Sequence, residues 1–182
     1  MARLFAFLRA INVGGHTVSM GRLQQVCTQL GCAGAETFLA SGNVIFTSRS
    51  AGGAALEKRL ATGLEAALGF PVDVFLRTPA ELAALAGPHP FSAADEAEAH
   101  ALFVGLLHAA PAAAAVDRIM TLRSATDDFH LRGRELWWLR RTQESAGKLV
   151  NGTFEKALGA SATFRNVTTL RRLAARYGVG GA

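Results

Sequence analysis

The sequence predicts an α+β protein of two ferredoxin-like (β-α-β-β-α-β) units packed together, with antiparallel sheets and helices on one face. Two observations predict it. The order of strand-like and helix-like segments in residues 1–87 returns in residues 101–182, followed there by one extra C-terminal helix. Residues 88–100 between them hold Pro88, Pro90 and the acidic run Asp95 to Glu98, the composition of a solvated linker. Half of the 182 residues are apolar and 18% are charged, with a mean hydropathy of +0.22, so the chain has the material for buried cores. Disordered, collagen-like and low-complexity chains are excluded on the same numbers.

Leu4 to Leu8 is a short apolar run, consistent with a central strand buried on both faces. Asn12-Val13-Gly14-Gly15 breaks it. Ser19 then reads as an N-cap for a helix with Met20, Leu23, Cys27 and Leu30 on one stripe, stopped by Gly31. Thr37 to Ala40 and Val44 to Thr47 flank Ser41-Gly42-Asn43, the signature of a tight hairpin. Leu56, Leu60, Leu64 and Leu68 mark a helix face that Gly69 ends, and Val72, Val74 and Leu76 alternate as in a strand. Thr78-Pro79-Ala80-Glu81 is a capping box with proline at the first helical position, and its helix ends at Gly87.

The second half repeats the order. Ala101 to Leu107 reads as a strand and Pro111 to Met120 as an alanine-rich helix. Phe129 and Leu131 alternate up to Gly133, and Glu135 to Arg140 returns as the second arm of a hairpin. A helix is expected from about Lys148 to Leu158, a last strand over Ala162 to Arg165, and a terminal helix on Leu170, Leu173, Ala174 and Tyr177.

The formal charge is +5 and it is uneven. From Arg118 onward there are twelve Lys/Arg against five Asp/Glu, which is +7 and leaves −2 for the rest. A basic half suits an anionic partner, nucleic acid included, and equally suits a solvated surface. Cys27 and Cys32 have neither zinc nor C-x-x-C spacing, and Cys27 reads as a small core residue. The histidines (His16, His89, His100, His108, His130) and the scattered acids show no metal-ligand spacing, so neither a metal nor a cofactor is expected. The N-terminal apolar run is interrupted by Arg9, and Ala101 to Val116 is too short to span a bilayer. A soluble, cytoplasmic protein without membrane partners is expected.

Few residues carry chemistry. The Asn12 to Gly15 loop follows a strand and leads toward a helix, where backbone N–H groups can face an anion, but it is neither a P-loop nor a dinucleotide fingerprint. Trp137 and Trp138 are adjacent on a strand and point to opposite faces; one packs in the core and the other covers the second unit or lies exposed to stack on a ring or base. Lys148 and Arg165 are expected at helix starts, where a cation opposes the helix dipole. An anion held between the cation and the backbone amides would offset that cost.

Four blocks carry a resemblance. Leu8-Arg9-Ala10-Ile11-Asn12-Val13-Gly14-Gly15, Ser41-Gly42-Asn43-Val44-Ile45-Phe46, Gly147-Lys148-Leu149 and Thr163-Phe164-Arg165-Asn166-Val167-Thr168-Thr169 resemble, in order along the chain, the bacterial family called domain of unknown function 1697. The resemblance implies an α+β fold with ferredoxin-like halves and brings no established activity. Ala10 stands where that family usually has glycine, and Val167 where a tryptophan is common. Carried over position by position, the resemblance singles out Arg9, Asn12, Gly14, Gly15, Ser41, Asn43, Lys148, Arg165, Asn166 and Thr168. Cations, amides, hydroxyls and glycine backbone without a carboxylate suit holding an anion more than catalysing a reaction. The expectation is therefore a phosphate- or nucleotide-type small anion bound at the junction of the halves, with Arg9, Asn12, Lys148 and Arg165 converging. The alternatives are a nucleic-acid-binding module using the basic half, an enzyme of unrecognised chemistry, and an interaction protein whose motifs are turns.

Overall fold

In the computed structural model, which describes residues 1–182 except 13–14, 40–41, 145–148 and 181–182, the chain divides into two units. The first holds Met1–Ala83 with the C-terminal residues from Gly178, and the second Ala84–Tyr177. Unit 1 contains β1 (Ala2–Leu8), α1 (Met20–Gln29), β2 (Ala33–Thr37), β3 (Asn43–Ser48), α2 (Ala54–Leu68), β4 (Val74–Arg77) and the start of α3 (Pro79–Ala86). Its antiparallel sheet has the order β2-β3-β1-β4, the ferredoxin-like arrangement.

Alternation along β1 explains the first core. Leu4, Ala6 and Leu8 face α1 and α2, where Leu23, Val26, Cys27, Leu56, Leu60 and Leu64 close over them. Phe5 and Phe7 point to the opposite face and are also buried, so β1 is apolar and buried from Leu4 to Leu8. Ser19 caps α1 by accepting from the Arg22 N–H at 3.2 Å, and Gly69 in the left-handed region closes α2. The capping box at Thr78 forms: the Thr78 N–H donates to Glu81 Oε2 at 2.8 Å, and the Glu81 N–H donates to Thr78 Oγ1 at 3.2 Å.

The strand expected over Thr37 to Ala40 lies earlier in the chain. Pairing with β3 decides this, since Ala33 sits opposite Thr47 and Thr37 opposite Val44. Phe38 then bonds across the turn to Asn43, and Leu39 takes φ 59, which no strand permits.

Unit 2 contains α4 (Ala93–Glu98), β5 (Ala101–Leu106), α5 (Ala113–Met120), β6 (Asp127–Arg132), β7 (Glu135–Arg140), α6 (Asn151–Leu158), β8 (Thr163–Asn166) and α7 (Val167–Arg176). Its antiparallel sheet runs β6-β7-β5-β8, the same arrangement as the first. The core on its helix-covered face is aromatic: Phe129, Trp138 and Phe154 pack with Leu107, Ile119, Leu136 and Leu158. Gly105 on β5 makes room for this, because a Cβ there would lie 2.7 Å from the Phe164 ring.

Residues 88–100, expected as linker, carry α4. The signal was present in the sequence as Ser92-Ala93-Ala94-Asp95: the Ser92 Oγ accepts from the Asp95 N–H at 3.1 Å, and Asp95 Oδ2 accepts from the Ser92 N–H at 3.3 Å. Both tryptophans are buried, at 2% and 6% exposure for Trp137 and Trp138, so neither offers a stacking surface.

One substitution follows from the backbone of unit 1. Ala10 has φ 69, a left-handed conformation that costs an L-residue about 1–2 kcal/mol. Ala10→Gly relieves that strain and gives back part of it as unfolded-chain entropy. A net gain of about 0.5–1 kcal/mol is expected, read as a melting temperature higher by about 1–4 °C.

Candidate functional site

The residues singled out by sequence fall into two groups, one in each unit. Gly14, Ser41 and Lys148 lie outside the described residues. In unit 1, Arg9, Asn12, Gly15 and Asn43 gather at the end of the sheet where β1 finishes. The Arg9 N–H donates to the Asp73 carbonyl at 3.0 Å, and the Arg9 guanidinium lies 4.0 Å from the Asp73 carboxylate. Asn12 takes φ 56, and its Oδ1 accepts from the Val18 N–H at 2.8 Å, which folds the loop back toward α1. The hairpin turn closes on the same end. The Leu8 N–H donates to the Gly42 carbonyl at 2.8 Å, and a Cβ on Gly42 would press on Leu8 and Ile11 at 3.2 Å. Asn43 is buried, and its Nδ2 donates to the Phe38 carbonyl at 2.8 Å, so its amide holds the turn together.

In unit 2, Arg165, Asn166 and Thr168 lie where β8 runs into α7. This is the end of the sheet where β5 begins, since Asn166 pairs with Phe103 and Thr163 with Leu106. Arg165 differs from its expected placement. It is a strand residue with 7% exposure, and its Nη1 donates to Thr163 Oγ1 at 2.8 Å and to the Phe164 carbonyl at 2.9 Å. Burial pushes its pKa down to about 10, so it remains a cation at neutral pH. Unit 1 holds a counterpart: Arg77 is fully buried on β4, donates to the Leu76 carbonyl at 2.9 Å and precedes the Thr78 cap as Arg165 precedes the Asn166 cap. The helix expected to start at Lys148 begins at Asn151, behind Val150, whose side chain makes no cap hydrogen bond.

Around the start of α7 the residues form a cleft. Its volume is about 170 Å³, and Glu96, His100, Leu102, Asn166, Thr168 and Arg171 are among the residues lining it. Asn166 caps the helix by accepting the Thr168 N–H at 2.8 Å, and no acidic residue occupies the first turn. The positive end of the helix dipole therefore faces the cleft without an internal counter-charge. Arg171, one turn on, donates to Glu96 Oε1 at 2.9 Å and to the Ala86 carbonyl at 3.4 Å. The other carboxylate oxygen of Glu96 lies 2.9 Å from His89 Nε2. Hydrogen bonds from His89 and then Arg171 hold the Glu96 carboxyl below the usual carboxylate range. Asp95 is lowered as well, by Ser92 first and then by Arg141, whose Nη2 lies 2.8 Å away.

Asn166 and Thr168 are thus the sequence-singled residues that line one cleft; Glu96, His100 and Arg171 were not singled out. Glu96 belongs to an acidic run whose composition is that of a linker. The spacing Val167 to Arg171 places two residues on one helical face, a pattern too common to point to a site. Among the described residues, no group of three or more His, Cys, Asp or Glu is arranged to hold a metal ion. No helix there is long and apolar enough to cross a membrane.

The α4 contacts make a pH prediction. Because the folded Glu96 pKa is depressed, its contribution to stability is complete above the unfolded value of about 4.3 and is lost as pH falls through the folded value. Its partial exposure keeps the effect small through solvent screening. Glu96→Gln is expected to melt slightly below the unsubstituted protein at pH 7, and the difference to narrow as pH falls below the unfolded carboxyl's range. A gap in thermal melts that stays constant from pH 7 into the acid range would contradict this.

A family model described as Protein of unknown function (DUF1697) matches residues 1–137. Among solved structures, the chain is similar to conserved bacterial protein SP0830 from Streptococcus pneumoniae. The TM-score is 0.75 at 22% identity, covering 98% of this chain and 99% of that one, a likeness in fold. No curated protein matches.

Proposed function

The chain belongs to the DUF1697 family, and we propose that it binds a small phosphate-type anion at the N-terminus of α7. The observation that carries this reading is the cleft of about 170 Å³ into which Asn166, Thr168, His100 and Arg171 project at a helix start free of acidic residues. Helix N-termini attract anions through their first N–H groups and the dipole. Thr168 supplies a hydroxyl, and Arg171 a guanidinium suited to phosphate oxygens. Glu96 also lines the cleft, and its charge is shared between His89 and Arg171. No exposed tryptophan supports the nucleic-acid alternative, which salt dependence separates from small-anion binding.

The test is a thermal-shift titration with inorganic phosphate, nucleoside monophosphates, sugar phosphates and carboxylates. At a ligand concentration about 100 times Kd, a native-state ligand adds about 2.7 kcal/mol, a rise of about 5 °C or more for a chain of this size. Thr168→Glu places a carboxylate in the first turn. It is expected to keep or raise the melting temperature without ligand, by its match to the dipole, and to abolish the shift with phosphate. A phosphate shift that survives Thr168→Glu would refute this location, and the absence of any shift across the panel would refute the reading.

A further inference from the structure

Cys27 and Cys32 are five positions apart, neither a zinc spacing nor C-x-x-C, yet the end of α1 brings them together. Gly31 takes φ 86, and the chain closes on itself through three hydrogen bonds of 3.0 Å: Leu30 N–H to the Val26 carbonyl, Gly31 N–H to Thr28, and Cys32 N–H to Cys27. The last is the six-to-one bond of a Schellman closure, which sets the residue after the turn against the last turn of the helix. The closure sets the two residues against each other in the core of unit 1, and both thiols are free. The backbone bond between the two residues brings them together, the first requirement of a disulfide.

We propose that Cys27 and Cys32 are a covalent modification site, a dithiol that a small peroxide converts reversibly into an intrachain disulfide. The roles of the two sulfurs differ. The bond donated by the Cys27 thiol holds Cys32 below the ordinary thiol range despite burial, and the Arg59 cation acts in the same direction. Arg59 is fixed over this turn by the 2.8 Å bond from its Nη1 to the Leu30 carbonyl. Donating its hydrogen bond to Cys32, together with burial, holds Cys27 above the range. Cys32 is therefore the attacking sulfur and Cys27 the resolving one.

In the first step the Cys32 thiolate attacks one peroxide oxygen, the O–O bond breaks, and the departing hydroxide takes a proton to become water. Cys32 is left as a sulfenic acid. Cys27 then attacks that sulfur; the S–S bond forms, the S–O bond breaks, and the hydroxyl leaves with the Cys27 proton as a second water. Two thiols are oxidised and one peroxide is reduced to two waters. A dithiol reductant reverses the change by exchange. Both cysteines are buried, but Thr28, Gln29, Gly31 and Ala33 around them are exposed, so fraying of the helix end admits a molecule as small as hydrogen peroxide.

The experiment treats the folded protein with hydrogen peroxide, quenches it, unfolds it in an alkylating agent and measures, without reduction, the mass of the tryptic peptide from Leu23 to Arg49 that holds both cysteines and no methionine. The expected product is a single peptide lighter by about 2 Da with no alkylated thiol, returned by dithiothreitol to a form alkylated at both. Cys27→Ser, which keeps a donor toward Cys32 but cannot form the disulfide, is expected to accumulate a sulfenic acid at Cys32 that dimedone traps; Cys32→Ser is not expected to do so at Cys27. Both thiols still alkylatable, oxygen added at Cys27 or Cys32 in place of the disulfide, or a disulfide-linked dimer would each overturn the proposal.

Discussion

Phe154→Ala is expected to destabilise unit 2 by about 3–5 kcal/mol, the usual cost of emptying a large aromatic site. Phe154 is fully buried on α6, with ring centroids of Phe164, Trp138 and Phe129 at 4.8, 5.0 and 5.7 Å. These rings hold one another in tilted and edge-on arrangements, and each such pair adds about 0.5–1.5 kcal/mol beyond the area it buries. Rings so constrained cannot collapse into the vacated volume. A melting temperature lower by about 10 °C or more is the readout. Phe154→Leu retains most of the volume and should cost far less. Equal losses for the two variants would show that the site is loosely packed.

The second large effect concerns Asp127. Its side chain is buried at the edge of the same cluster, and Oδ1 accepts the Trp138 Nε1–H at 2.9 Å. Oδ2 accepts the hydroxyls of Thr126 at 2.7 Å and Ser124 at 3.2 Å. Asp127→Ala removes the acceptor from a buried indole N–H, and an abandoned buried donor costs about 1–3 kcal/mol. With the two hydroxyls also losing their partner, a total of about 2–4 kcal/mol is expected in denaturant unfolding. Asp127→Asn keeps an oxygen for the indole and should lose less. Trp138→Phe combined with Asp127→Ala should cost less than the sum of the two single changes, because each removes the need for the other. Strict additivity would mean that the indole bond contributes nothing.

Much of the architecture is legible along the chain because it rests on local rules. Leucines at every fourth position and a glycine after them specify α2 and its end. Glu135 to Arg140, following Gly133, specifies β7 to the residue. The return of one element order in both halves is enough for the fold class even though the halves share little sequence. The match between Arg77-Thr78 and Arg165-Asn166 becomes visible only when both are seen on the last strand of their sheets, each before a helix cap.

The candidate site is legible to a smaller degree, and its parts show why. Asn166 and Thr168 stood out as polar residues at a helix start, and they line the cleft. Arg165 stood out for the same reason, but strand alternation turns its side chain into the interior, and neighbouring oxygens hold it there. Asn43 carries the polarity of a binding residue and uses it to brace its own turn. A motif states which groups are available, and their direction is set by pairing.

Caps, helical stripes, hairpin arms and strand alternation belong to the sequence by itself, because each depends on groups a few positions apart. The tertiary structure alone decides which residues distant in sequence meet. Glu96 reads as one acid in a solvated run until the fold brings Arg171 to within 2.9 Å of it. β2 takes its register from β3, against the weak strand preference of Ala33-Gly34-Ala35. Trp137 and Trp138 alternate as their order requires, and burial on both faces of the sheet is what removes them from the surface. In each case the deciding energy is burial and pairing between segments far apart in the chain, which outweighs local propensity when the two differ.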